Sequence, residues 1–293
     1  MKISVVVNTF NEEKNLERCL RSVESLASEI VVVDMHSTDG TIRIAKKFKA
    51  KVFPHEYTHY VEPARNFALS KATGDWILLL DADEEISSGL AKTLTEIAQA
   101  GEVDWVELPR KNIIFGQWIK NSRWWPDYLP RFFKRGKVSI SAEIHASYEK
   151  EGRGIQLPAE EENALVHHHY ESIFQYLERL NRYTDIQAGK LKEKGYAFCW
   201  QDLIIKPANE FFSRFFAGEG YRDGLHGLAL ALLQAFSELV LYLKIWEKGG
   251  FAKENINALD GVMEKIMRDW LYWQQKVTAN AFTKIRLKIK SKI

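Results

Sequence analysis

Two rhythms of apolar residues run along the chain. Residues 3–7 (ISVVV), 30–33 (IVVV) and 76–80 (WILLL) are unbroken β-branched or leucine-rich runs, the pattern of parallel strands buried on both faces. Between the first two, Leu16, Cys19, Leu20, Val23 and Leu26 recur at helical spacing, which predicts a helix with one face on the sheet. Asn11 is its expected N-cap, with Glu12 and Glu13 in the first turn. A second helix over 41–48, a short strand over 51–53 and a third helix over 64–71 complete a βαβαβαβ alternation by residue 80. That order predicts a doubly wound α/β domain.

Beyond it, Ser87 or Ser88 caps a predicted helix carrying Leu90, Leu94, Ile97 and Ala98, and strand character returns over 104–108. Residues 109–166 are less regular and rich in Trp, Arg and Pro, a composition suited to loops and short strands around a ligand. From Ser172 the rhythm becomes helical, with Ile173, Tyr176, Leu177, Leu180, Tyr183 and Leu191 on one stripe. The pattern therefore predicts an α/β domain over 1–170 and a helical region over 171–293. Residues 225–246 are apolar over about the length of a membrane span, but His226, Gln234, Ser237, Glu238 and Lys244 interrupt them. Those polar groups favour a buried or interfacial helix over one that crosses lipid.

Composition sharpens this picture in three respects. With 293 residues and 46% hydrophobic content, the chain can bury a sizeable core. Its formal net charge is only +2, so no global field argues for nucleic acid; no acidic residue follows Asp269, while Lys276, Lys284, Arg286, Lys288, Lys290 and Lys292 do, making the end of the sequence a basic tail. Cys19 and Cys199 are far apart and form no metal-binding pair. The apolar run at the N-terminus is too short for a signal-peptide core, and the expected location is the cytoplasm.

The candidate chemistry sits at the strand ends. Asp81-Ala82-Asp83 directly follows WILLL, and ligands of open α/β sheets bind outside the carboxyl ends of strands. Two neighbouring carboxylates repel unless a cation lies between them; Mg2+ or Mn2+ bridging to a diphosphate would supply it. The first strand runs into Asn8-Thr9-Phe10-Asn11-Glu12 and the second ends at Asp34. Asp34 could accept from the imide N–H of a uracil, with Thr9 and Glu12 bordering the nucleoside. Asp39, in Ser37 to Gly40, fits a turn and helix cap better than a ligand contact.

The stretches SVVVNTFNEEKNLERCLRSV, EIVVVDMHSTDGT and EPARNFALSKATGDWILLLDADEE together resemble the inverting glycosyltransferases of family two, which have the GT-A fold: a Rossmann-like, mostly parallel sheet flanked by helices. The resemblance implies that Thr9, Asn11, Glu12 and Asp34 hold the nucleoside, that Arg65 meets the base or the phosphates, and that Asp81 and Asp83 serve ribose and metal. The later stretches WWPDYLPRFFKRGK and ALVHHHYESIFQYLERLNRYT are similar, more loosely, to bacterial lipopolysaccharide-core glucosyltransferases of that family. This implies a UDP-sugar donor, a glycolipid acceptor and a peripheral position at the inner face of the cell membrane. His167 matches the single histidine that relatives place three residues before a tyrosine, and neutral imidazole suits manganese.

An inverting transfer needs a base beside the acceptor hydroxyl. Relatives carry a Val-His-Glu element where this chain has Ile144-His145-Ala146, so the expected glutamate is missing. Glu143, Asp127 and His145 are the candidates. Two rivals differ in class: a sugar nucleotidyltransferase, which needs a glycine-rich loop where NTFNEE has no glycine, and an inactive membrane-bound scaffold.

Overall fold

The computed structural model describes residues 1–58, 61–141 and 147–277. In chain order the elements are β1 (Ile3–Thr9), α1 (Leu16–Val23), β2 (Glu29–Asp34), α2 (Thr41–Lys47), β3 (Lys51–Pro54), α3 (Glu62–Ser70), β4 (Trp76–Asp81), β5 (Glu84–Glu85), α4 (Ser88–Ala100) and β6 (Trp105–Ile114). There follow β7 (Gln117–Trp118), β8 (Asp127–Lys134), β9 (Val138–Ile140), β10 (Tyr148–Lys150), β11 (Gly154–Gln156), β12 (Leu165–Tyr170), α5 (Ile173–Glu193), α6 (Asp202–Phe211), α7 (Gly224–Lys248) and α8 (Leu259–Val277). The chain packs as two compact units, Met1–Ile113 with Trp125–His169, and Ile114–Trp124 with the chain from Tyr170 on. The segment Ile114–Trp124 thus clusters with the helical unit although it lies before the division predicted at 170.

The first unit is a GT-A α/β fold built on a mixed, mostly parallel sheet. Its N-terminal half has the order β3-β2-β1-β4, all parallel. Side chains of β1 and β4 are buried on both faces, so one cluster packs Val5, Val7, Leu78 and Leu80 against Leu16, Leu20 and Leu90, while the other packs Val6, Ile77 and Leu79 against Ala68 and Phe133.

Two elements depart from the sequence expectation. The helix after β1 starts at Leu16 rather than after Asn11, and its N-cap position is Asn15. Asn11 takes a left-handed backbone, φ 55°, and its side-chain carbonyl accepts from Thr38 N–H at 2.8 Å; it ties two loops together instead of capping a helix. The irregular stretch supplies β8, which lies antiparallel between β4 and β6. Pro130 in its middle obscures it as a strand, because proline lacks a ladder donor. It is accommodated where the β6–β8 register shifts between Val106 and Glu107, a bulge that releases the pairing constraint locally. Elsewhere Ser87 caps α4 by accepting from Leu90 N–H at 3.0 Å.

In the second unit, α5 buries Tyr176, Leu180, Thr184 and Ala188, a strict four-residue repeat that leaves Ile173 and Leu177 exposed. One cluster joins Ala188 of α5 to Leu241, Tyr242 and Ile245 of α7. Another joins Ile114 and Ile119 to Leu230. Asp223, at the start of α7, accepts from the backbone N–H of Asn121 at 2.9 Å and from its side chain at 3.1 Å.

Candidate functional site

The site-forming side chains belong to the first unit, at the carboxyl ends of β1, β2 and β4. Register sets Thr9 opposite Asp34 and Asn8 opposite Asp81, so residues more than twenty positions apart emerge along one edge. Asp34 is buried, and its Oδ1 accepts from Thr9 Oγ1 at 3.0 Å and Ser37 Oγ at 2.6 Å, while Oδ2 accepts from Ser37 N–H at 2.9 Å. Asn11 and Glu12 lie on the adjoining loop, where their backbone N–H groups donate to Ser37 Oγ and Thr41 Oγ1. Asp39 accepts from Thr41 N–H and Glu13 N–H; burial opposes its ionisation, but these bonds outweigh it and lower its pKa. It acts as a turn-holding carboxylate.

Asp81 and Asp83 face different partners. Asp81 accepts from Arg65 Nη2 at 2.7 Å and from Arg131 Nη2 at 2.6 Å. Arg131 also reaches Glu84 Oε1 at 3.0 Å; Arg110 Nη1 reaches the same oxygen at 3.5 Å and grips Asp127 Oδ2 through Nε at 2.9 Å. The result is an alternating ladder, Arg65–Asp81–Arg131–Glu84–Arg110–Asp127, in which Arg131 and Glu84 are 1% exposed. Burial alone would raise the Asp81 carboxyl, but Arg131, Arg65 and Arg110 hold it well below the usual carboxylate range. Arg65 Nη1 and Arg131 Nε and Nη1 find no hydrogen-bond partner among the described residues, so the cationic side of the ladder retains donor capacity that an anionic ligand could use.

Asp83 turns to β12, which pairs antiparallel with β5 and sets His167 opposite Glu84. His167 Nε2 is 3.5 Å from Asp83 Oδ2 and 3.1 Å from His169 Nδ1, and its Nδ1 is 2.6 Å from Asn112 Oδ1. His168 points the other way, to Glu85 at 2.9 Å, as alternation in a strand requires. Asp83 and His167 offer an oxygen and a nitrogen donor; the carboxylate fits Mn2+ or Mg2+, and the imidazole favours Mn2+ of the two. Among the described residues no group of three His, Cys, Asp or Glu side chains is arranged to hold an ion by itself; a cation here would complete its shell with ligand oxygens and water. Buried Cys19 reports the same local field: burial and then the carboxylates of Glu84, Asp83 and Asp81 push its thiol well up.

Of the candidate bases, Asp127 begins β8 and is held by Arg110 and by Asn112 Nδ2 at 3.4 Å, all on Oδ2. Glu143 and His145 lie outside the described residues. Sequence reasoning missed Arg110, Asn112 and Arg131. Arg131 carries one weak signal, a charged residue inside the otherwise apolar LPRFF of β8.

The class of protein is given by the sequence comparison. The family model of glycosyl transferase family 2 matches residues 4–150, and the chain belongs to that family: it is a glycosyltransferase. The chain is similar to the lipopolysaccharide core biosynthesis glycosyltransferase LpsC of Rhizobium meliloti, 27% identical over 88% of this chain and 97% of that protein. It is 27% identical to an uncharacterized glycosyltransferase of Rickettsia typhi over 91% of this chain and 94% of that one. Among solved structures, S. aureus TarS in complex with UDP is 16% identical, with a TM-score of 0.46 over 89% of this chain and 95% of that chain.

Proposed function

We propose that the protein transfers a hexose, glucose foremost, from a UDP-sugar to a hydroxyl of a glycolipid such as lipopolysaccharide core, with inversion and with dependence on a divalent cation. The observation that carries this reading is the juxtaposition of Asp83 with His167, 3.5 Å apart, in the same unit as buried Asp34 at the end of β2, which β1 separates from β4. Asp34, fixed by Thr9 and Ser37, accepts from the uracil imide. Glu12 and Asn11 line the nucleoside side, and Arg65 and Arg131 set Asp81 toward the ribose. Asp83 and His167 hold the Mn2+ or Mg2+, whose contribution when bound is to offset charge on the departing diphosphate.

In the transfer, the acceptor oxygen bonds to the anomeric carbon from the face opposite the phosphate. The bond from that carbon to the phosphate oxygen breaks, and UDP leaves with the electron pair. The hydroxyl proton passes to a base, for which Asp127 is the candidate within the described residues, with Glu143 and His145 as the others. Asp127 suits the role because Arg110 orients it through Oδ2, while none of these contacts engages Oδ1. The acceptor class rests on the likeness to LpsC and on α7, which belongs to a helical stretch, Gly220–Lys248, long and apolar enough to cross a membrane yet with only 28% of its most apolar window buried. Gln234, Ser237, Glu238 and Lys244 within it favour a helix lying at the cytoplasmic membrane surface.

The test is calorimetry of UDP-glucose against the protein with and without Mn2+, paired with a donor-turnover assay. Wild type binds and turns over only with the cation; Asp83→Ala loses at least a hundredfold in turnover, while Asp34→Ala weakens UDP binding. Cation-independent turnover, or full activity in Asp83→Ala, would overturn the metal assignment. Asp127→Asn set against Glu143→Gln identifies the base by which variant still hydrolyses donor but fails to glycosylate acceptor.

A further inference from the structure

Asn112 is fully buried in β6, on the same face as Arg110 and Ile114, and its amide stands between two residues that the proposed reaction uses for different purposes. On one side Nδ2 lies 3.4 Å from Asp127 Oδ2; on the other Oδ1 lies 2.6 Å from His167 Nδ1. The orientation of the amide follows from chemistry. A carboxylate only accepts, so the NH2 group must face Asp127, and the reverse orientation would set two acceptors against each other. The carbonyl then faces His167, so Nδ1 of the neutral imidazole carries the proton and Nε2 presents a lone pair. That Nε2 is the atom beside Asp83 Oδ2 and His169 Nδ1.

We infer that Asn112 is a positioning residue: it locks His167 in the Nδ1–H tautomer, aims the Nε2 lone pair at the cation position beside Asp83, and couples that setting to the Asp127 carboxylate. Arg110 anchors the far end by donating from Nε and Nη2 to the same Asp127 oxygen. A single amide thereby fixes one group on the donor side and one on the acceptor side. Ligating histidines in metal sites commonly donate their second ring N–H to such an acceptor, and its loss costs about 10–100-fold in metal affinity. The metal half of this inference rests on the proposed function; the tautomer half does not.

The experiment is a long-range proton–nitrogen correlation spectrum of the full chain labelled with imidazole nitrogen-15, recorded metal-free at alkaline pH, with His167 assigned by loss of its signals in His167→Gln. Wild type shows His167 as Nδ1–H. Asn112→Asp keeps an acceptor for that proton, so it retains the tautomer and the Mn2+-dependent affinity for UDP. Because it sets a second carboxylate against Asp127, its acceptor transfer falls. Asn112→Leu loses the tautomer lock and about 10–100-fold in Mn2+ affinity. An Nε2–H wild type, or an Asn112→Leu protein with unchanged tautomer and affinity, overturns the inference. If Asn112→Leu fails to fold by circular dichroism, the wild-type and Asn112→Asp spectra decide. Absence of Mn2+ binding by wild type would sink the functional reading while leaving the tautomer result to judge Asn112.

Discussion

At the scale of single residues, the ladder through Arg131 decides how the site responds to substitution. Asp81 stands between two buried guanidinium groups, Arg65 and Arg131, and removing its charge leaves Arg65 with no carboxylate partner among the described residues and Arg131 with Glu84 alone. Breaking one partner of a buried pair costs about 3–5 kcal/mol, so Asp81→Asn should unfold at a markedly lower urea concentration at neutral pH. The sign of the pH dependence follows from the lowered Asp81 pKa. The unfolded chain takes up the proton first, so the stabilisation is fully present above the unfolded carboxyl value and is lost as pH falls below about 4. The gap in urea midpoint between wild type and Asp81→Asn should therefore narrow in acid; a gap that widened there would contradict the ladder. The strand-end positions of Asp34, Asp81 and Asp83 were legible in the sequence because each terminates or follows an apolar run. Arg131 and Asn112 were not, since their partners Asp81 and His167 lie 50 and 55 residues away, and only strand pairing brings them together.

At the scale of elements, periodicity located what local forces determine and lost what tertiary pairing determines. The strands over 3–7, 30–33 and 76–80, and the helix capped by Ser87, follow from patterns that act within a few residues. The N-terminal boundary of α1 failed because Asn11 and Glu12 serve the β2–α2 loop instead, and β8 stayed hidden because Pro130 and Arg131 disguise a strand whose place is fixed by β4 and β6. Two glycines in the helical unit give opposite predictions. A Cβ on Gly227 of α7 would come within 1.8 Å of the Gly220 carbonyl oxygen, whereas one on Gly189 of α5 meets nothing within 4 Å. Gly227→Ala must shift the start of α7 and should lower the thermal midpoint. Gly189→Ala removes backbone freedom from the unfolded chain at no steric cost and should stabilise by about 0.5–1 kcal/mol. Thermal melts followed by far-ultraviolet circular dichroism separate the two, and equal shifts of the same sign would refute the close approach.

At the scale of the whole molecule, apolar exposure is distributed very unevenly. Apart from Met1 and Tyr57, every exposed large hydrophobic side chain among the described residues lies from Ile173 onward, although the first unit contains most of the long apolar runs. Leu225, Leu232, Phe236 and Leu243 of α7 are exposed at 77%, 54%, 46% and 37%, and their spacing of seven, four and seven places them on one stripe. Exposed apolar side chains aligned in this way are where the proposed membrane attachment can be tested. Lys284, Arg286, Lys288, Lys290 and Lys292 lie outside the described residues, so the stripe itself must carry the test. Burying one Leu or Phe side chain contributes about 1.5–3 kcal/mol, so converting two of them to charges should reduce partition onto vesicles at least tenfold even if insertion is only partial. The expected result is that wild type co-sediments with phospholipid vesicles and withstands high salt, as apolar contact does and screened charge does not. Leu232→Lys with Phe236→Lys should remain in the supernatant and keep its Mn2+-dependent affinity for UDP. Undiminished sedimentation of that double variant would remove α7 as the membrane contact, and release of wild type by salt alone would assign the attraction to charge.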